Sequence, residues 1–254
     1  MTVLAAIDDS DAARPVLDFA RRLAALLDTG VEAVHVRVDS SGEGAAASAD
    51  AAQVPLHMRE GSVVAALEAQ VRASNATAVV IGARAHARGA SPAGHIALEV
   101  VQSLTCAVAV VPPDAADRPL RRVMVAVEGD GESQSLRRLF EHMGDRPMPE
   151  VIALHVIEPA EAPPFADSPV FEADAFEREF RIRVASAILD DPSRVRFEMR
   201  VGVAEVALLE AARELEADVI VLAWHRNLSG AHGRLVRETL AGASVPVALY
   251  TLPS

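Results

Sequence analysis

Cysteine is nearly absent from this chain: one in 254 residues, Cys106, so no intrachain disulfide can form. It lies in the apolar run CAVAVV with nothing basic beside it, which reads as a small buried hydrophobe and not as a reactive thiolate. That suits a reducing compartment, and a cytoplasmic location is expected. Long apolar runs are missing too, so no bilayer span and no membrane partner are expected. The opening MTVLAAIDDSD has no basic flank and meets two aspartates after a short apolar run, unlike a secretory leader. Positive charge is in the minority, with 24 Lys and Arg against 36 Asp and Glu, a net −12. Such a surface repels phosphate backbones, so nucleic acid is not an expected partner. The spacings that mark familiar chemistry are lacking as well: no GxxxxGK[ST], no HxH or HExxH among eight histidines, no CxxC and no G-x-S-x-G. A metal site has no support, no nucleophile stands beside a base, and the chain is not expected to be an enzyme.

What is present is a repeat. The segment VLAAIDDSD from Val3 recurs as VMVAVEGDG from Val123, and EAVHVRVD recurs as IALHVIEP, both at an offset of 120. Further on, Gly61 aligns with Gly202 and Gly82 with Ala223 at 141, and Gly94 aligns with Gly233 at 139. The expected domains are therefore 1–113 and 120–254, joined by a linker at 114–119 within the proline-rich, acidic PPDAADRP. With 51% hydrophobic residues the chain can fill two ordinary cores.

Each half alternates β-branched runs with amphipathic stretches, the pattern of a parallel sheet with helices on its faces. The fold class is α/β: two tandem Rossmann-like repeats, each an open, parallel five-stranded sheet. In the first half the strands fall at 2–8, 31–38, 54–59, 77–82 and 106–111. Between the first two, Val16, Leu17, Phe19, Ala20, Leu23, Ala24 and Leu27 recur at helical spacing, with Ser10 as N-cap and Gly30 as the stop. The tract SSGEGAAASADAA has too few large apolar residues to pack a helix firmly and reads as a mobile loop with at most a frayed turn. The second half places a helical face, Phe171, Phe176, Phe180, Val184 and Ile188, at the corresponding point.

Open parallel sheets bind ligands beyond the carboxyl ends of their strands. In the second half Gly129-x-Gly131 follows the first strand, but Gln134 stands at the third glycine position and Glu128, Asp130 and Glu132 repel a pyrophosphate. The first half is different after its fourth strand. Arg84, His86 and Arg88 lie between Gly82 and Gly94, and Gly94 opens a helix. Free N–H groups and the positive helix end there favour phosphate oxygens, which sets any nucleotide with its phosphates on the Arg84 to His95 side and its base or ribose towards Asp8. A plain solvated basic loop is the alternative. His35 and His155 occupy equivalent strand positions and read as structural. Trp224, His225 and Arg226 read as a packing or partner surface.

Asp8 ending the first strand, HV in the second, the strand-four glycine, and the closing helix and strand from Gly94 and from Gly233 resemble the universal stress protein family, here in tandem. The resemblance implies a fold of the adenine-nucleotide alpha-hydrolase type and a stress-response regulatory role. In members that bind ATP the signature is G-x-x-G, nine residues, then G-S/T. Here Gly82 matches the first glycine, Ala85 replaces the second, the spacer is one residue short, and His95 follows Gly94. In the second half Ala223 and Arg226 take both early glycine positions and Arg234 follows Gly233. By resemblance Asp8 and the Val36 backbone flank adenine, while Gly82, Gly94, His95 and Ile96 surround ribose and phosphates. ATP or another adenylate in the first domain, with a degenerate site in the second, or no cofactor at all, are the states this allows. A ligand-free interaction scaffold and an ATP-hydrolysing enzyme are the alternative functions. The resemblance also implies an internal pseudo-dimer, paired through CAVAVV and VPVALY, whose apolar edges would otherwise lie open. It leaves pairing of whole chains into a homodimer open and names no protein partner.

Overall fold

A computed structural model describes residues 1–38, 41–83, 95–127, 149–158 and 195–251. The expected helical face from Phe171 to Ile188 and the loop residues Arg84, Arg88 and Gly94 lie outside them.

The first half runs β1 (Thr2–Ala6), α1 (Ala13–Leu27), β2 (Gly30–Arg37), α2 (Glu43–Ala51), β3 (Leu56–Glu60), α3 (Val63–Ser74), β4 (Ala76–Gly82), α4 (His95–Ser103) and β5 (Ala107–Val111). The second supplies β6 (Arg122–Ala126), β7 (Glu150–Ile157), β8 (Val195–Val201), α5 (Ala204–Glu214), β9 (Val219–Trp224), α6 (Gly230–Gly242) and β10 (Val247–Thr251). Strand pairings repeat at the offsets read from the sequence. Val3↔Val31 returns as Val123↔Val151, Ala33↔Leu56 as Ala153↔Phe197, and Val79↔Val108 as Ile220↔Val247.

The two five-stranded parallel sheets expected from the pattern are not separate. The strands form one ten-stranded sheet in the order β3-β2-β1-β4-β5-β10-β9-β6-β7-β8. Its single antiparallel junction pairs Val247 with Val110, Ala248 with Ala109 and Leu249 with Val108. The reason is the edge problem: β5 and β10 each end a half with apolar side chains and a row of unpaired backbone groups, and pairing them satisfies both. Residues 114–119 are held from both sides. Arg22 of α1 donates to the carbonyls of Ala116 (3.4 Å) and Arg118, while the Arg118 guanidinium reaches Asp218 and the Ala217 carbonyl, each at 2.7 Å.

Alternate strand residues feed two cores. Val3, Ala5 and Ile7 pack under Val16, Leu17, Phe19 and Ala20 of α1 on one face. Leu4 turns to the other, where Leu67 of α3, Val101 of α4, Leu208 of α5 and Val236 of α6 cover the sheet. Helices on both faces explain why β9, VIVLAW, is buried along its whole length.

Three local expectations need correction. The alanine-rich tract forms a true helix, α2, because small residues allow close approach. Ala45 and Ala49 are buried, and a Cβ on Gly44 would stand 2.7 Å from the Asp9 carbonyl oxygen. Two buried methyl groups stabilise by about 0.8 kcal/mol each, so polar anchoring decides. Asp9, far back in the chain, accepts from the N–H groups of Gly42 (2.9 Å) and Ala45 (2.8 Å) at the helix start. For α1, the N-cap is Ala12, not Ser10. Ser10 acts one turn earlier, its Oγ accepting from Ala12 N–H at 3.2 Å and its carbonyl from Ala13 N–H at 3.1 Å. The helix stops at Asp28, in the left-handed region at φ 53°, which Asp tolerates, so that Gly30 is free to begin β2.

Candidate functional site

Strand order reverses between β1 and β4, since β2 and β3 lie to one side of β1 while β5 lies beyond β4. Connections leave that point for opposite faces and open a crevice beyond the strand ends. A cavity of about 440 Å³ sits there, walled by Ile7 and Asp8 after β1, Val36 and Val38 at the end of β2, Val63 and Leu67 of α3, Gly82 ending β4, and Ile96, Ala97 and Val100 of α4. Its walls are mostly apolar, as a site for a planar ring requires.

Of the residues anticipated from the sequence, Asp8, Val36, Gly82 and Ile96 meet at this cavity. His95 does not line it. It is the first residue of α4, its side chain is 86% exposed, and its Nδ1 lies 3.8 Å from Glu99 Oε2. Arg84, Arg88 and Gly94 fall outside the described residues. Asp8 Oδ1 accepts from Ser10 N–H (3.0 Å) and Ser10 Oγ–H (2.5 Å), which fixes the carboxylate in the turn above β1. The adjacent Asp9 faces the other way and caps α2. One dipeptide thus supplies the cavity with a carboxylate and the scaffold with a helix anchor.

His35 forms part of the cavity wall, and its Nδ1–H donates to the Ile7 carbonyl at 2.9 Å. That bond sets the tautomer and pins the end of β1 to β2. His155 makes the equivalent bond to Val127, at 2.8 Å. Both histidines are structural in this sense.

In the second half one of the corresponding wall positions and two positions beside the wall carry charge. Glu158 stands where Val38 stands in the first half, Glu205 replaces Val64, and Arg234 replaces His95. Arg234 lies 3.7 Å from Glu158 and 3.4 Å from Glu205, and Glu158 also accepts from Ala204 N–H at 3.4 Å. These carboxylates would repel a nucleotide's phosphates. At the end of β9, Trp224 is buried and Arg226 points away from its own half, towards α4.

Compared with known families, residues 119–250 match the universal stress protein family. The chain belongs to that family. No curated protein matches it in sequence. Among solved structures, a universal stress protein from Archaeoglobus fulgidus shares 14% identity and superposes with a TM-score of 0.69, covering 98% of each chain. A functionally unknown protein from Pseudomonas aeruginosa shares 16% identity, with a TM-score of 0.68 over 98% of this chain and 92% of that one. At such identities these likenesses establish the fold.

In this universal stress protein the family match falls on the second half, whereas the open cavity stands in the first. Cys106, half-buried just ahead of β5, behaves as a hydrophobe: burial pushes its thiol up to about 11. Among the described residues no cluster of His, Cys, Asp or Glu could hold a metal ion, and no helix is long and apolar enough to cross a membrane. Two functional features escaped the sequence reading. Asp9 carried only the weak signal of following Asp8. The ion-paired Glu158, Glu205 and Arg234 become visible only when the second half is laid on the first, position by position.

Proposed function

We propose that this universal stress protein is a stress-response regulatory module that binds ATP or another adenylate in the first half and not in the second. The observation that carries the reading is the first-half cavity. It is about 440 Å³, within the range of small-molecule sites, apolar enough for a purine and bounded at one end by the Asp8 carboxylate. Asp8 accepts hydrogen bonds and repels phosphates, so it faces the base or ribose. The phosphates then lie towards the start of α4, and the sequence ahead of that helix offers Arg84 and Arg88 as counter-charge. Gly82, ending β4 on the cavity wall, brings backbone rather than side chain to the ligand. The residues present suit binding and sensing; the regulated output runs through a protein partner.

Calorimetric titration of the full chain with ATP tests this, together with mass spectrometry of small molecules released on denaturation. Removing a charge-assisted bond costs about 1.5–3 kcal/mol, so Arg84→Ala or Arg88→Ala weakens ATP roughly tenfold to more than a hundredfold. Gly82→Val abolishes binding by filling the wall. If wild type takes up no heat with millimolar ATP and releases no adenylate, the nucleotide reading fails and an interaction scaffold replaces it.

A further inference from the structure

We propose that Trp224 and Arg226 are positioning residues for the first half's site: they hold α4, the helix that walls the cavity, by its carboxyl end. The claim rests on the nucleotide reading for the ligand and on geometry for the contact. An α-helix leaves its last four carbonyls without partners inside the helix. In α4 these are accounted for one by one. Leu104 N–H donates to the Val100 carbonyl at 3.0 Å. The next three are satisfied from the second half: Trp224 Nε1–H to Val101 at 3.0 Å, Arg226 Nε–H to Gln102 at 3.2 Å, and Arg226 Nη2–H to Ser103 at 2.9 Å. The guanidinium also sits at the negative end of the helix dipole.

The clamp is itself braced. Trp224 is among the largest fully buried side chains, and its ring stacks on His232 at 6.3 Å, which in turn donates from Nε2 to the Ala223 carbonyl at 2.9 Å. Arg226 holds a left-handed backbone, φ 59°, uncommon outside glycine. Val100, next to the carbonyl that Trp224 holds, lines the cavity, as do Ile96 and Ala97 one turn earlier. A rigid helix of nine residues cannot shift at one end without moving the other.

The Trp224 contact has no counterpart at the equivalent described position. In the repeat, the position of Trp224 is taken in the first half by Ala83, whose N–H donates to Val111 and whose side chain has no donor to offer a helix end. Arg226 occupies one of the glycine positions of the family's nucleotide signature. The second half has thus given its own phosphate-loop positions to the support of its neighbour's helix.

Trp224 is the only tryptophan, so the full-length protein carries its own probe. ATP is titrated while Trp224 emission and calorimetric heat are followed in parallel, and the emission is expected to change along the binding isotherm. Arg226→Ala is expected to weaken ATP about two- to thirtyfold, the usual span for a residue that couples without touching ligand, with partial rescue by Arg226→Lys. ATP heat with unchanged Trp224 emission, together with wild-type affinity in Arg226→Ala, overturns the positioning role and leaves the nucleotide reading intact. If ATP gives no heat at all, that reading falls, and hydrogen exchange still decides the clamp. Faster exchange across residues 95–103 in Arg226→Ala supports it, and unchanged protection there overturns it.

Discussion

Asp9→Ala separates the two jobs of the Asp8-Asp9 pair. The substitution removes both acceptors from the N–H groups of Gly42 and Ala45, at 2.9 and 2.8 Å, and leaves α2 with little but two buried methyl groups. An N-cap lost to alanine costs about 0.5–2 kcal/mol. A hydrogen bond to a charged group contributes about 1.5–3 kcal/mol. The two contacts share one partly exposed carboxylate, so a combined loss of roughly 2–3 kcal/mol is expected. For a chain of this size each kcal/mol moves Tm by about 2–4 °C, giving a fall of roughly 4–12 °C. Asp9→Asn keeps one acceptor oxygen and should recover about half of it. Thermal unfolding followed by circular dichroism measures the shift, and hydrogen exchange localises it to residues 43–51. Asp8→Ala, one position away, should instead weaken ATP while leaving those amides protected. The reasoning is refuted if Asp9→Ala melts within about 1 °C of wild type with α2 still protected.

Two further outcomes follow from local geometry. Cys106, raised from 9.0 to about 11, carries roughly a hundredfold less thiolate at pH 8 than an unfolded thiol, so alkylation should be slower by at least that factor in the folded protein than in urea. Because the folded state keeps this proton longer, the associated stability is complete below pH 9 and declines as pH rises towards 11; melting of a Cys106→Ala variant should show less of that decline. At Gly233 a Cβ would overlap the Leu228 carbonyl group and stand 2.6 Å from Leu228 Cα, and backbone cannot yield as a side chain does. Gly233→Ala should therefore cost about 1–3 kcal/mol in denaturant unfolding.

Strand positions were legible because burial on both faces leaves β-branched runs with little else in them, as in AVVIG and VIVLAW. The repeat was legible for the same reason, and its offsets carried over to the strand registers. Of the cavity residues, Asp8 and Gly82 stood out by charge and by their place at strand ends, whereas Val36 and Ile96 were found through family likeness. What escaped was non-local. α2 depends on a carboxylate more than thirty residues earlier and on close packing of alanines, neither of which leaves a local pattern. Ser10 and Gly30 have the right chemistry for caps, but the backbone turned one residue pair away, at Ala12 and Asp28. The partners of Trp224 and Arg226 lie in the other half, so their side chains suggested a contact surface without saying what they touch.

The junction of β5 with β10 also sets a timetable. Ribosomes add about 5–20 residues per second, so the stretch from Val111 to Val247, on the order of 140 residues, takes roughly 7–28 s to emerge. Throughout that interval the first half can fold while its outer strand still awaits its mate. Until β10 arrives, the apolar β5 edge is open to a strand of another copy. Residues 112–121, tied down by Arg22 and Asp218, favour the copy that is covalently attached. A short tether keeps the chain's own β10 at a far higher local concentration near β5 than any other copy's.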